Sequence, residues 1–294
     1  MVSVALISHS ARYYSTRRLI EAGRALGYAM SRLDPVAASL TLGPGGPGID
    51  VDGARSPVPD AVLPRIGVEL APWSAALLDA WVAAGAYSAV TGDAILRAGD
   101  KLAATARLGA TGLPVLPTRA LRERDHVEAT LDALGGDRWV IKRRFGSSGD
   151  GVALVRGRDS ARSVLGALVI GHETVIVQPF VALDPVRDLR VLVLGGEPVA
   201  GMWRHALPGE FRANLHRGAA PRAAELTDAT RALAARAAAA MELPFCGVDL
   251  MESEAGWVVL EVNASPGLEG IEAATGRDLA TPYLERWVAG RAKA

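Results

Sequence analysis

The sequence predicts an α/β protein, and three observations support this fold class. Strand-like and helix-like segments alternate through the first third of the chain, which indicates a small doubly wound domain. Further along, two strands are joined by a glycine-rich turn, and a pair of apolar strands precedes the last helix. The predicted strands are 2–7, 61–64, 139–143, 152–155, 174–179, 188–194, 198–203, 245–250 and 257–262, and the predicted helices are 16–26, 72–84, 100–109, 226–241 and 279–289.

The first elements follow from local patterns. The apolar run at 2–7 is too short for a signal peptide and lacks a basic start, so it is predicted to be a buried strand. The segment 43–48 matches G-x-G-x-x-G, but two prolines within it predict a loop rather than a dinucleotide site. Asp100 is typical of a helix N-cap residue, and its helix is expected to open a second subdomain.

Composition narrows the class of protein. The 32 basic and 32 acidic side chains balance, which argues against nucleic acid as the main partner. The single cysteine, Cys246, excludes an internal disulfide framework and is typical of a reducing compartment. No window approaches the roughly 20 apolar residues of a membrane span. We therefore expect a soluble, cytoplasmic protein with no membrane partner.

The strongest local signal for chemistry lies at the end of an apolar strand, where Glu261 and Asn263 are two residues apart. Side chains at that spacing share one face of a strand, and Asp249 at the end of the preceding strand could lie opposite them. Three oxygen ligands at a strand end are typical of a magnesium site. The alternative is that the carboxylates are solvent-facing, which is unusual beside such apolar neighbours.

Two further segments carry candidate phosphate-binding groups. The glycine-rich turn after Lys142 would let backbone N–H groups approach an anion, although such turns also occur without ligands. The segment 210–218 concentrates two arginines, an amide and a histidine, which suit phosphate and carboxylate oxygens unless the loop is simply solvated. The chain has no Walker A loop, G-x-S-x-G elbow or zinc-ligand spacing.

Together these motifs resemble the ATP-grasp superfamily and, most closely, the RimK-type glutamate ligases. The segments that carry the resemblance are 60–67 (DAVLPRIG), 211–218 (FRANLHRG) and 261–271 (EVNASPGLEGI). The resemblance covers essentially the whole chain. It implies an ATP-grasp fold with an N-terminal doubly wound pre-ATP-grasp domain at 1–98, a central subdomain with the glycine-rich flap at 99–182, and a C-terminal subdomain with the metal site at 183–294.

The resemblance also implies a role for individual residues. Arg212 and Asn214 would face the γ-phosphate and the acyl-phosphate, and Asp249, Glu261 and Asn263 would hold two Mg²⁺ or Mn²⁺ ions. The remaining ATP-binding residues would be Lys101, Lys142, Gly146, Ser147, Gly149, Gly151, Gln178, Pro179, Phe180, Asp188 and Ala213. The residues expected beside the substrates are Arg65, Arg204, His216, Arg217 and Ser265.

Two departures from the family pattern concern the hinge and the flap. Pro179 stands where relatives carry an acidic residue, but proline keeps its carbonyl, and Phe180 is expected to supply the N–H for adenine. The flap begins with Arg143-Arg144-Phe145 instead of a less charged stretch, which we expect to bear on the choice of acceptor.

The activity implied is ATP-dependent addition of glutamate to a peptide or protein, such as a ribosomal protein, by a dimer or tetramer. The same superfamily also includes ligases that act on an amino-group carrier protein, a deazaflavin coenzyme or small peptides. A non-catalytic nucleotide-binding protein is the alternative from another class. The intact set of lysines, arginine and metal ligands favours an enzyme.

Overall fold

The computed structural model describes residues 1–146, 151–183, 185–207, 209–212 and 220–293. It contains two small N-terminal sheets, a four-stranded central sheet and a five-stranded C-terminal sheet. Within this part of the chain, no helix is both long and apolar enough to cross a membrane. The division at residues 98 and 182 remains a prediction.

The N-terminal region is built on a parallel sheet in the order β2-β1-β6, as the alternating pattern predicts. In the sequence, the segment between β2 and β6 forms a separate antiparallel sheet, β3-β4-β5. The predicted loop at 43–48 joins its first two strands. The elements are β1 (Ser3–Ile7), α1 (Tyr14–Ala25), β2 (Ala29–Leu33), β3 (Ala38–Thr41), β4 (Gly48–Val51), β5 (Ala54–Arg55), β6 (Ala61–Pro64), α2 (Ala71–Ala83), α3 (Gly92–Gly99) and α4 (Lys101–Ala110).

The central sheet has the order β7-β10-β8-β9 and is antiparallel throughout. Two helices cover it, and its apolar side chains form a core of their own around Trp139 and Leu131. The elements are β7 (Arg119–Leu121), α5 (Val127–Leu134), β8 (Arg138–Arg143), β9 (Val152–Arg156), α6 (Arg158–Leu168) and β10 (Val175–Pro179). The hairpin β8–β9 confirms the predicted strand pair on either side of the glycine-rich turn.

The C-terminal sheet has the order β13-β12-β11-β14-β15. Its apolar face shares one continuous core with the N-terminal region, whereas the central sheet does not join this core. The elements are β11 (Arg187–Leu194), β12 (Glu197–His205), β13 (Ala220–Ala224), α7 (Asp228–Ala240), β14 (Phe245–Ser253), β15 (Gly256–Asn263), α8 (Glu269–Thr275) and α9 (Ala280–Gly290). The large C-terminal sheet is therefore packed directly against the N-terminal region.

Candidate active site

One face of the C-terminal sheet carries a row of charged side chains. Asp188 on β11 pairs in register with Arg204 on β12, and Arg190 on β11 pairs with Asp249 on β14. Asp249 in turn pairs with Glu261 on β15. Residues directly opposite each other on neighbouring strands lie on the same face, so strand register alone assembles this row.

Asp249 is the most completely bonded carboxylate of this row. Arg190 donates from Nε to Oδ1 and from Nη2 to Oδ2, each at 2.6 Å. Arg204 donates from Nη2 to Oδ2 at 2.8 Å. Burial opposes ionisation of Asp249, but the two guanidinium groups outweigh it and lower the pKa of Asp249. The side chain is therefore a buried, ionised carboxylate and not a solvent-facing one.

Asp188 lies on the other side of the same arginine. Arg204 donates to it from Nε at 2.5 Å and from Nη2 at 2.8 Å. Burial raises the pKa of Asp188 to about 6, and Arg204 opposes this rise. The pKa of Arg204 is raised because two aspartates outweigh its burial. A ribose hydroxyl bound to Asp188, as predicted, would share the carboxylate with this guanidinium.

Glu261 and Asn263 project together from β15, as their spacing predicts. With the amide nitrogen of Asn263 facing Glu261, it donates to Oε1 at 3.1 Å, and the amide oxygen accepts from Arg190 Nη2 at 2.9 Å. Arg190 thus contacts both Asp249 and Asn263. The three residues predicted to hold divalent cations converge at one place, and their metal-binding role remains a prediction.

The strand geometry around this convergence differs from the prediction in one respect. Asp249 lies in the middle of β14 and not at its end, because the strand continues to Ser253. The pairing shifts directly after Asp249, so that Leu260 is an extra residue in β15. This β-bulge is of a kind often found beside active sites, where it redirects a side chain. Sequence periodicity gave no indication of it.

Gly247 provides the space that these side chains need. It lies opposite Asn263 in the strand pair. A Cβ atom at this position would be 3.0 Å from Cβ of Pro266 and 3.5 Å from Nε of Arg190. A larger residue would displace the loop that follows β15 or the guanidinium that holds Asp249.

Two lysines share the electrostatic environment of Glu261. Lys101 is the first residue of α4, and Lys142 lies on β8. Burial lowers the pKa of Lys142 to about 8 and also lowers that of Lys101, while the charge of Glu261 opposes both shifts. Both predicted phosphate-binding lysines therefore interact electrostatically with the carboxylate of Glu261.

The hinge after β10 corrects one assignment. The N–H of Phe180 donates to the carbonyl of Arg138 at 3.0 Å, so it is not available to adenine while β8 and β10 remain paired. The guanidinium of Arg138 also lies over the Phe180 ring, 5.3 Å from its centre. Gln178 donates from Nε2 to Thr118 Oγ1 at 2.8 Å. Proline at 179 keeps its carbonyl, as predicted.

Arg212 lies between its own loop and the hairpin. It donates from Nε and Nη2 to the carboxylate of Glu210, at 3.0 Å in each case, and from Nη1 to the carbonyl of Val152 at 3.3 Å. Gly151 accepts from the N–H of Arg143 at 2.8 Å. The predicted residues Ser147, Gly149, Ala213, Asn214, His216 and Arg217 lie outside the described part of the chain.

Two of the predicted substrate residues connect the N-terminal sheet to the loop after β15. Arg65 donates from Nη2 to the carbonyl of Pro266 at 2.6 Å, and Ser265 Oγ accepts from the N–H of Ile66 at 3.1 Å. Nε and Nη1 of Arg65 are buried without a hydrogen-bond partner in the described residues, and burial lowers the pKa of Arg65. Their contact with substrate remains a prediction.

Comparisons with known proteins agree with this architecture. The RimK PreATP-grasp domain model matches residues 2–95, and the RimK-like ATP-grasp domain model matches residues 98–287. A probable alpha-L-glutamate ligase of Thioalkalivibrio sulfidiphilus is 40% identical over 279 residues, which cover 95% of this chain and 93% of the relative. The ribosomal protein bS6–L-glutamate ligase of Escherichia fergusonii is 37% identical, with 98% and 95% covered.

Solved structures show the same fold at lower identity. The RimK domain ATP-grasp protein of Sphaerobacter thermophilus is 24% identical, with a TM-score of 0.73 and coverage of 97% and 99%. The ATP-grasp ligase PsnB in complex with its minimal precursor is 20% identical, with a TM-score of 0.76 and 99% of each chain covered. Because both domain models and near-full-length relatives match, the chain belongs to the RimK family of ATP-grasp proteins.

Proposed function

We propose that this chain is an ATP-dependent carboxylate–amine ligase that adds L-glutamate to the C-terminus of a ribosomal protein or another peptide. The observation that carries the proposal is the convergence of Asp249, Glu261 and Asn263 next to two partly buried lysines, Lys101 and Lys142. The names of the relatives from Thioalkalivibrio sulfidiphilus and Escherichia fergusonii support glutamate as the amine. PsnB, solved with a precursor, supports a peptide acceptor for this fold.

The oxygen atoms at the convergence suit a divalent cation, which would take the place of the Arg190 guanidinium that contacts Asp249 and Asn263. Two carboxylates and an amide oxygen are the hard oxygen ligands that Mg²⁺ and Mn²⁺ accept. Within the described residues, no group of three or more His, Cys, Asp and Glu is placed for a metal. We assign Asp249, Glu261 and Asn263 to two such ions. When bound, the ions would draw negative charge off the transferring phosphoryl group.

The nucleotide would lie between the central and C-terminal sheets. We assign the carbonyl of Pro179 to the exocyclic amine of adenine. Since the N–H of Phe180 is engaged by Arg138, we assign the ring-nitrogen contact to the N–H of Val181, for which no acceptor is found among the described residues. Lys101 and Lys142 would neutralise the phosphates, and Asp188 would bind the ribose.

The chemistry explains why these charges are needed. A carboxylate is a poor electrophile, so ATP first converts it into an acyl-phosphate, and the amine of glutamate then displaces phosphate to give the amide. Positively charged side chains favour both steps because negative charge spreads onto phosphoryl oxygens and then onto the tetrahedral oxyanion. We assign stabilisation of the tetrahedral oxyanion to Arg212 and Asn214. The residues that we place beside the substrates are Arg65, Arg204, His216, Arg217 and Ser265.

The test incubates the purified protein with ATP, Mg²⁺, glutamate and candidate acceptors, and follows ADP release and acceptor mass. The expected result is ADP release that requires an acceptor peptide, with the peptide gaining one or more glutamyl residues. Mass gain on an amino-group carrier protein or a deazaflavin coenzyme instead would change the acceptor and keep the chemistry. Nucleotide binding without phosphate release under any of these conditions would show a non-catalytic protein.

Two further parts of the proposal concern the protein as a whole. We propose a dimer or tetramer, which light scattering of the purified chain would test directly. We also place the reaction in the cytoplasm, where ATP and newly made proteins are present.

A further inference from the structure

The end of β8 is attached to the beginning of α4 by an ion pair. Arg144 places Nε 2.9 Å from each carboxylate oxygen of Asp100 and Nη2 2.5 Å from Oδ2. Asp100 is only 8% exposed, so the carboxylate is shielded from solvent. Guanidinium and carboxylate groups in such two-pronged contact hold each other in a fixed orientation as well as attracting each other.

The same carboxylate also fixes the helix. Oδ1 of Asp100 accepts from the N–H of Leu102 at 3.0 Å and from the N–H of Ala103 at 3.2 Å. Asp100 is therefore the N-cap of α4 and the partner of Arg144 at once. Through this one carboxylate, Arg144 is linked to the first turn of the helix.

Lys101 lies at the centre of this junction. Its backbone N–H donates to the carbonyl of Arg144 at 3.1 Å. Its side-chain Nζ donates to the carbonyl of Gly146. The backbone and the ammonium group of Lys101 are thus held by the carbonyl groups of Arg144 and Gly146, two of the three residues that follow β8.

The neighbouring arginine provides a contrast. Arg143 pairs with Glu173, from Nη2 to Oε1 at 2.8 Å, and both side chains are more than half exposed. Within the described residues, the pair Arg143–Glu173 makes no hydrogen bond or ion pair with α4. The sequence alone led us to expect that both arginines bear on the choice of acceptor, but the structure gives each of them a carboxylate partner within the chain.

We infer that the Asp100–Arg144 ion pair positions Lys101 for the phosphates of the nucleotide. This inference rests on the proposed function, in which Lys101 binds phosphate. Arg144 and Asp100 act through Lys101 and are positioning residues. Without the pair, the helix cap remains, but the segment 144–146 is free to move away and Lys101 loses its defined orientation.

The test is a double-mutant cycle of Asp100→Asn and Arg144→Gln. The dissociation constant for ADP is measured for each variant at a temperature well below unfolding. Asparagine caps a helix as well as aspartate does, so Asp100→Asn removes the ion pair and keeps the cap. Each single variant is expected to weaken ADP binding about fivefold, the upper range for a partly exposed ion pair. The double variant should be no weaker than either single variant, because the residues act as one unit.

Arg143→Gln is the matched control and should bind ADP within about twofold of the wild type, since its ion pair is exposed. Arg144→Lys should recover part of the loss. Unchanged ADP binding in Arg144→Gln, or additive losses in the double variant, would overturn the inference. A wild-type protein that does not bind ADP would instead overturn the proposed function, so the two failures are distinguishable.

Discussion

Replacing Arg204 by methionine tests how the charged row of the C-terminal sheet is stabilised. Arg204 donates two hydrogen bonds to Asp188 and one to Asp249. Methionine would keep the aliphatic stem and leave both carboxylates close together without this cation. Removing one partner from a buried ion pair costs about 3–5 kcal/mol, and we expect a loss of that size in the free energy of unfolding near pH 8.

The loss should depend on pH in a defined direction. The pKa of Asp188 is already raised to about 6, above its unfolded value. Between about pH 4 and pH 6, Asp188 therefore keeps a proton in the folded state that it has released in the unfolded chain. Stability from this group therefore falls as pH rises from about 4 to 6. Without Arg204 the pKa of Asp188 rises further, and the fall continues to higher pH. Since each pKa unit corresponds to about 1.4 kcal/mol, a further rise of one unit would make the loss at pH 8 exceed that at pH 5 by about this amount.

Urea unfolding of the wild type and Arg204→Met at the two pH values measures this difference. The matched control is Arg187→Met on the adjacent strand, because Arg187 pairs with Glu252 at 3.2 Å where the two side chains are 37% and 47% exposed. We expect less than about 1 kcal/mol for this control. Equal losses for the two variants, or a loss for Arg204→Met that is the same at pH 5 and pH 8, would show that Arg204 does not stabilise the two buried carboxylates.

Two further predictions concern the nucleotide. Burial lowers the pKa of Lys142 to about 8, so part of the Lys142 population is neutral near pH 8. Because the phosphates of ADP favour the charged ammonium group, ADP binding near pH 8 should be accompanied by proton uptake at Lys142. Titration calorimetry in buffers of different ionisation enthalpy measures the uptake, which Lys142→Arg should abolish; an undiminished uptake in that variant would contradict the assignment. Val181→Pro should weaken ADP binding about tenfold by removing one N–H donor, whereas Val181→Ala should bind as the wild type does. Equal affinities in an equilibrium binding assay would exclude Val181 as the adenine donor.

The sequence predicted the elements on which the site depends. Asp100 carried a recognisable helix-cap pattern, and the structure confirms that it caps α4. The spacing of Glu261 and Asn263 predicted a shared face, and the apolar runs around them predicted the strand pair that brings Asp249 opposite Glu261. Local patterns were sufficient here because short-range periodicity determines which face a strand residue occupies.

The partners of the buried charges could not be predicted in the same way. Arg190 was missed although it shares a strand face with Asp188, because its partner Asp249 is 59 residues away and depends on sheet order. The engagement of the Phe180 N–H depends likewise on the pairing of β8 with β10. The sheet β3-β4-β5 was missed because its strands are only two to four residues long and lie mainly at the surface.

In the proposed reaction, Asp249, Glu261 and Asn263 hold divalent cations beside the phosphates of a nucleotide. The most direct measurement counts Mn²⁺ bound in the presence of ADP, by electron paramagnetic resonance, in the wild type and in Glu261→Gln. We expect two ions in the wild type and at most one, more weakly held, in the variant, with unfolding by urea unchanged. Two ions bound to Glu261→Gln with wild-type affinity would contradict it.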